Sequence, residues 1–420
     1  MTLPIVTVEI DAKPAQPGEF VLDYSALDGT DTLVDIPRWV DVSNSVLEVD
    51  VRRGRQDVSQ PIQAGAATLL MDNFDGNFDP DYPGSIYASN GNFIPGMLCR
   101  VTAYYSGQTH QVLYVGRLEH TQPDAGRNLT STLTFVDDLT IAGQTAAMSY
   151  NTAVRPETTG SRAAWLVTQL PGVTATLSSN LQRQLLPTYG GGTILDMLNL
   201  VTTAESGHCY VDRSGVLQVT THADDLARAL VATLDDTTGI EYDELTRGVG
   251  VQQIVNGCIL DRYNRNDSNY PSVFGGDAAS ANLYGQQVVS VIAPLANTSE
   301  AQALATYIGT RWSHPQPTVQ EIQVAFNIDA ATVATVNPLL GVELADQLVV
   351  ARNIPYKPVQ FGVGLRLAVE GINWTFSLVS NVFTGQFYLS PADLGALYGS
   401  AGIFTLDTSA LDGTDILAAY

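Results

Sequence analysis

Over residues 1–150 apolar and polar positions alternate with the two-residue period of half-buried strands. Val46-Leu47-Glu48-Val49-Asp50-Val51-Arg52 is the clearest run. Ala67-Thr68-Leu69-Leu70-Met71 leads into Asp72-Asn73-Phe74-Asp75-Gly76-Asn77, where the Asp-Gly step predicts a tight turn. Met97–Tyr105 and Gln111–Gly116 flank Ser106-Gly107-Gln108-Thr109, which predicts strand, turn, strand.

The period changes over 151–235. Ser161–Leu170 reads as a short helix ended by Pro171-Gly172. A second helix is predicted after the Gly190-Gly191-Gly192 hinge, with Thr193 as N-cap. Ile194, Met197, Leu198 and Val201 form its apolar stripe, and Gly207 stops it. Cys209-Tyr210-Val211 and Val216–Val219, around Asp212-Arg213-Ser214-Gly215, predict a β-hairpin. From about 236 strands resume, at Leu348–Val350, Arg366–Val369 and Trp374–Leu378. They are broken by one helix from Thr298 to Trp312 with a stripe of Ala301, Leu304, Ala305 and Ile308. The predicted organisation is a β domain (1–150), an α+β insert (151–235), a second β domain with one helix (236–395) and a terminal segment (396–420).

That last segment repeats an earlier one. Phe20-Val-Leu22-Asp23-Tyr-Ser-Ala-Leu27-Asp28-Gly29-Thr-Asp31-Thr-Leu33 recurs as Phe404-Thr-Leu406-Asp407-Thr-Ser-Ala-Leu411-Asp412-Gly413-Thr-Asp415-Ile-Leu417. Two copies are too few for a solenoid. Each reads as an apolar strand, a Leu-Asp-Gly turn and a short return. Local packing is one reading. The other is a docking element that adds to a partner's sheet edge through Phe20, Leu22, Asp23, Leu27, Asp28, Gly29 and Asp31 and their counterparts Phe404, Leu406, Asp407, Leu411, Asp412, Gly413 and Asp415.

Composition narrows the class. A chain of 420 residues exceeds one compact core and predicts two or three domains. Charged residues are 15% against the usual quarter, which suits a surface completed by partner subunits. A net charge of −23, with Lys13 and Lys357 the only lysines, argues against direct nucleic-acid binding, which needs clustered cations to displace counterions. No Lys or Arg falls between Arg55 and Arg100, where Asp57, Asp72, Asp75, Asp79 and Asp81 lie. The same holds between Arg311 and Arg352, with Glu321, Asp329, Glu343 and Asp346. Both stretches read either as solubilising surface or as the wall of a channel that DNA passes without adhering.

Cys99, Cys209 and Cys258 are too few and too separated for a disulfide framework, and small buried hydrophobes are expected. The start, Met1-Thr2-Leu3-Pro4, lacks the basic and apolar regions of a signal peptide. The most apolar stretch, Val288–Ala296, is about half the length that spans a bilayer. Synthesis and folding in the cytoplasm are expected.

Sites for chemistry are sparse. The triple glycine lacks the Gly-Lys-Ser/Thr of a phosphate loop. The Asp72–Asp81 run, aligned on Gly76, puts Met71 and Tyr82 where an EF-hand needs its end ligands. A looser calcium site there, or at the repeated Asp23, Asp28 and Asp31, stays open. His110, His120, His208, His222 and His314 form no ligand motif, and no serine-hydrolase elbow is present. Core packing is expected for Trp39, Trp165, Trp312 and Trp374. No catalytic residue, metal or cofactor is predicted.

Several stretches carry a family resemblance. Arg52-Arg53-Gly54-Arg55 followed by Ala64–Pro80, with its Asn-Phe-Asp-Gly-Asn-Phe-Asp-Pro loop, resembles the minor tail proteins of siphophages infecting actinobacteria. Tyr87, Pro95-Gly96, Ile194–Leu198, Gly207–Leu217, Val255-Asn256, Ser280–Gly285 and Ser299–Arg311 extend the likeness over about 40–390. The resemblance implies a mainly β fold with an α+β insert, in two β-barrel-like domains as in phage tail hub proteins. It implies a structural virion protein of the tail tip, a homotrimer joining the tail tube to a distal spike or fibres. The partners it implies are the distal tail protein, tape measure and spike or fibres, with DNA passing through the lumen. Two alternatives are a distal tail protein forming a hexameric ring, and a receptor-binding or cell-wall-degrading tail protein.

Overall fold

Alternation gives seven strands among the described residues up to 136. They are β1 (Ile5–Asp11), β2 (Trp39–Asp41), β3 (Val46–Gly54), β4 (Gln63–Asp72), β5 (Leu98–Tyr104), β6 (Gln111–Pro123) and β7 (Thr130–Val136). The computed structural model describes residues 2–11, 39–56, 60–87, 93–124, 129–147, 157–187, 192–235, 240, 242, 244–248, 254–262, 270–314, 318–329, 332–351 and 365–392. In β3 the predicted alternation is real: Val49 and Val51 are buried, Glu48 and Asp50 are not.

The middle of the chain is mixed. It holds α1 (Asp138–Gln144), β8 (Glu157–Thr158), α2 (Thr159–Thr168), β9 (Ala175–Leu177), β10 (Gln184–Leu185) and α3 (Ile194–Glu205). The hairpin β11 (Cys209–Val211) and β12 (Leu217–Val219) follows, then α4 (His222–Leu226). Thr193 caps α3 as expected, in a reciprocal capping box with Asp196. Its end departs from expectation: Ser206, in the left-handed region (φ 54°), closes the helix one residue before Gly207. Gly207 serves close packing instead, since a Cβ there would meet the Thr220 carbonyl oxygen at 2.0 Å.

Beyond lie β13 (Leu230–Asp235), β14 (Glu244–Gly248), β15 (Gly257–Asp261), β16 (Val273–Gly276), α5 (Ala278–Tyr284), β17 (Val288–Ile292) and α6 (Thr298–Arg311). The last elements are β18 (Thr318–Ala325), α7 (Val333–Leu340), β19 (Gln347–Ala351), β20 (Leu365–Ser377) and β21 (Val382–Pro391). Where the sequence predicts one helix, α5 and α7 form as well. They are only seven and eight residues long, too short to display a helical period.

Among the described residues thirteen strands join in one sheet. Its main path runs β14-β18-β21-β20-β3-β4-β7-β6-β5-β1-β2, and β19 lies beside β20 and β13. The join between the early and late strands is antiparallel, from Glu48↔Ser377 to Gly54↔Gly371. The sheet also returns to its own start. Thr2, just before β1, bridges Ile328, just after β18, through backbone bonds of 2.6 and 3.1 Å. Early and late strands therefore enclose one hydrophobic core, in which Leu69, Phe135, Ile322, Trp374 and Phe387 are all buried. The fold is mainly β, as expected.

A second core gathers α1, α2, α3, the β11–β12 hairpin, β15 and α6 around Leu166, Leu198, Leu217, Leu260 and Leu304. Here β16-β15-β17 form a three-stranded sheet whose inner face rests on α6. The approach is close because Gly275 meets the backbone at Ala305 and Thr306. The three cysteines are free and buried, as expected. Trp374 lies deep in the first core and Trp165 packs partly buried on the second. Trp39 and Trp312 instead sit half-buried under Arg100 and Arg311 at 4.7 and 5.2 Å, which corrects the core expectation for those two.

Candidate functional site

The fourteen residues predicted to dock, Phe20 to Asp31 and Phe404 to Asp415, lie outside the described residues. What the structure does bring together is a polar seam between the two cores. Gly54 ends β3 at φ +84°, and the lack of a Cβ lets the Glu370 backbone pass, so that Arg53 and Arg55 both turn towards the insert. Arg53 is buried. It donates to the Val211 carbonyl oxygen (3.0 Å) and pairs with Glu343. The Glu343 carboxylate also accepts the backbone N–H of Arg213 and of Leu344, each at 2.8 Å. Arg228 donates to Tyr210 Oη (2.6 Å) and pairs with Asp346 at 3.5 Å.

Arg55 pairs with Glu370 at 2.7 Å and donates to the Gln60 carbonyl oxygen at 2.9 Å. Burial alone would push the Glu370 carboxyl up, but the Arg55 guanidinium and the Ser390 hydroxyl hold it below its ordinary value. His208 stands between Arg55 (Nη2 to Nε2, 3.3 Å) and Asp225 (Nδ1 to Oδ2, 2.8 Å). Since a guanidinium only donates, Nε2 faces Arg55 as the acceptor and Nδ1 faces the Asp225 carboxylate as the donor. The lone pair a general base would need is thereby engaged. Ser206 lines the same cavity of about 70 Å³, yet makes no hydrogen bond to His208. The arrangement is an orienting network, not a nucleophile with its base.

The acidic stretches separate on folding. Glu343 and Asp346 are consumed in ion pairs with Arg53 and Arg228. Asp72 and Asp79 cap turns, accepting the N–H of Phe74 (3.1 Å) and Asp81 (2.9 Å). No group of three or more His, Cys, Asp or Glu suited to a metal occurs among the described residues. No helix among them is long and apolar enough to cross a membrane.

Asp137, the N-cap of α1, is buried beside the first core and accepts the N–H of Gly65 (2.7 Å) and Leu139 (3.0 Å). Burial outweighs those bonds and the Arg53 charge, and raises the carboxyl to about 7. A folded-state value above the unfolded one stabilises at low pH, and that stability is lost as pH rises from about 4 through about 7. The contribution is at most roughly 4 kcal/mol. Asp137→Asn should therefore flatten this component. In urea unfolding, wild type minus variant should shrink between pH 4 and 8, and a constant difference would contradict the assignment.

Two exposed apolar surfaces were not anticipated. At one rim of the large sheet Phe74, Leu129, Leu378 and Val379 cluster at the ends of β4, β7 and β20. On the three-stranded sheet the outward residues Ile259, Phe274, Val288 and Ile292 are 40–50% exposed. The signal was present in Val288-Val289-Ser290-Val291-Ile292, which is apolar on both faces, the pattern of a strand covered on both sides.

No protein-family model matches the chain, and no curated protein matches it in sequence. Solved structures do match in fold. A tail protein from Neisseria meningitidis MC58 superposes with a TM-score of 0.59 at 12% identity, over 93% of this chain and 97% of that one. The 43 kDa tail protein of prophage MuSo2 from Shewanella oneidensis gives 0.56 at 10% identity, over 92% and 98%. The chain thus shares its fold with these two tail proteins over more than nine-tenths of its length.

Proposed function

We propose that this chain is a structural subunit of a bacteriophage tail tip. It serves as a baseplate hub or minor tail protein of a siphophage infecting an actinobacterium, and it catalyses nothing. The observation that carries the reading is the fold shared with two phage tail proteins over more than nine-tenths of each chain. The subunit forms a homotrimer that joins the tail tube to the distal spike or fibres and surrounds the DNA exit channel. Its partners are the distal tail protein, the tape measure and the spike or fibres, and the repeated segments at 20–33 and 404–417 are its docking elements.

Two further features support an assembled state. Exposed apolar patches on a soluble protein mark contact surfaces. Strands β2 and β14 each have one neighbour among the described strands, leaving edges to which another strand can add. Exposed Asp72, Asp75 and Asp81 suit a channel wall that repels DNA.

Native mass of the purified chain tests the stoichiometry. Three copies of 44.9 kDa give about 135 kDa. Six copies would move the reading to a hexameric distal ring. Release of soluble fragments from host cell wall by the protein would overturn the non-enzymatic assignment.

A further inference from the structure

The rim of the large sheet that carries Phe74 is apolar where a solvated turn would be polar. Leu378 and Val379 open the turn between β20 and β21, where Gly, Asn, Asp and Ser are the usual residues. Phe74 and Val379 are 77% and 78% exposed, and Val382, where β21 begins, is 44% exposed. Backbone bonds hold these residues at one end of the sheet. The Leu378 N–H donates to the Leu47 carbonyl oxygen at 2.9 Å, and the Asn73 N–H to that of Leu129 at 2.8 Å. The pairs Val46↔Met71 and Asp72↔Thr130 join those two anchors through β3, β4 and β7. The rim therefore crosses four neighbouring strands, β20-β3-β4-β7, a width of about 14 Å at 4.8 Å per spacing. A helix is about 10–12 Å across with its side chains, so one helix covers it.

Charge selects among the occupants. Residues 46–48, 71–75, 124–130 and 377–382, which include every anchor named above, contain Glu48, Asp72, Asp75 and Asp124 against Arg127 alone, a formal charge of −3. Asp72 and Asp75 flank Phe74 and are exposed, and the exposed Glu48 accepts from the Ser377 hydroxyl beside Leu378 at 3.3 Å. A second copy would bring a chain of net charge −23 to this rim, and an anionic membrane would bring phosphates, so both are repelled. A protein segment with Lys or Arg along the margins of an apolar stripe gains burial at the centre and attraction at the edge.

We infer that the rim formed by Phe74, Leu378, Val379 and Val382 docks a cationic amphipathic helix of another protein. Its apolar stripe lies on those four side chains and its Lys or Arg residues meet Glu48, Asp72 and Asp75. Asp72 and Asp75 then face that partner, and Asp81 is the exposed loop acid left to a channel wall. The inference names the chemistry of one partner and rests on the assembly reading for there being one.

Fluorescence anisotropy of the full chain with two labelled helical peptides of about 18 residues, one of Leu and Lys and one of Leu and Glu, tests it. The Leu–Lys peptide should bind and the Leu–Glu peptide should not. Phe74→Ser with Val379→Ser should weaken the Leu–Lys peptide about tenfold. Asp72→Asn with Asp75→Asn should weaken it about fivefold at low salt and far less at high salt. Asp41→Asn with Asp196→Asn removes the same charge from β2 and α3 and should change binding by less than about twofold. All six substituted residues are exposed, so each variant keeps the folded core. Equal losses from the two acid pairs, or no loss from the apolar pair, would overturn the inference. So would a loss in the Phe74, Val379 variant of binding to vesicles of phosphatidylcholine and phosphatidylglycerol, or of self-association, which would give the rim to a membrane or to a second copy. A native mass that contradicts the trimer leaves these outcomes unchanged, so the hub reading and this one fail separately.

Discussion

Alanine in place of Trp374 should lower the free energy of unfolding by about 3–5 kcal/mol. The indole is 2% exposed and is the largest side chain of the first core. It is ringed by Phe326 at 5.4 Å, Phe383 at 5.7 Å and Phe387 at 5.4 Å. Across the ladder it faces Gly385, where a Cβ would strike the indole at 2.4 Å, so the pair is complementary in shape. On its other side lies Val51 of β3. The cavity would therefore open at the strand that carries early residues and late ones together. Urea unfolding followed by far-ultraviolet circular dichroism reads the loss. A change under about 1 kcal/mol would mean the aromatic cluster does not hold this junction.

The second large effect belongs to Arg53. Its side chain is 3% exposed and its Glu343 partner 13%. Removing the cation in Arg53→Ala leaves a carboxylate and the Val211 carbonyl without their donor, which costs about 3–5 kcal/mol. The loss should be local before it is global: amides of residues 209–219 should exchange faster, while those of β4 and β7 keep their protection. The double variant Arg53→Ala with Glu343→Ala should lose less than the two single changes combined, because the stranded charge is gone. Strict additivity would show that the two side chains act independently.

Much of the fold was legible because local pattern and local structure agree. The β3 alternation, the Thr193 cap and the Ala301–Leu304–Ala305 stripe of α6 all become elements with the expected buried faces. The polar seam was not legible. Arg53 and Glu343 are 290 residues apart, Arg55 and Glu370 are 315, and no local spacing encodes such pairs. The same distance misled the reading of charge. Glu343 and Asp346 looked like surface acids in a stretch free of Lys and Arg, yet cations from elsewhere in the chain neutralise them. Partner docking was read from a repeat, a feature of sequence alone. The exposed sheet face needed the fold, because nothing in Ile259 or Phe274 by itself says which way it points.

The order in which the ribosome delivers these strands sets a hazard. One edge of β3 finds its neighbour β4 at once, but the other waits for β20, about 320 residues later. At 5–20 residues per second that edge stands bare for about 16–64 s, ready to zip onto another nascent chain. Polysomes crowd such chains together. Overproduction at low temperature with abundant trigger-type chaperones should therefore raise the soluble yield far more than any change to the finished surface.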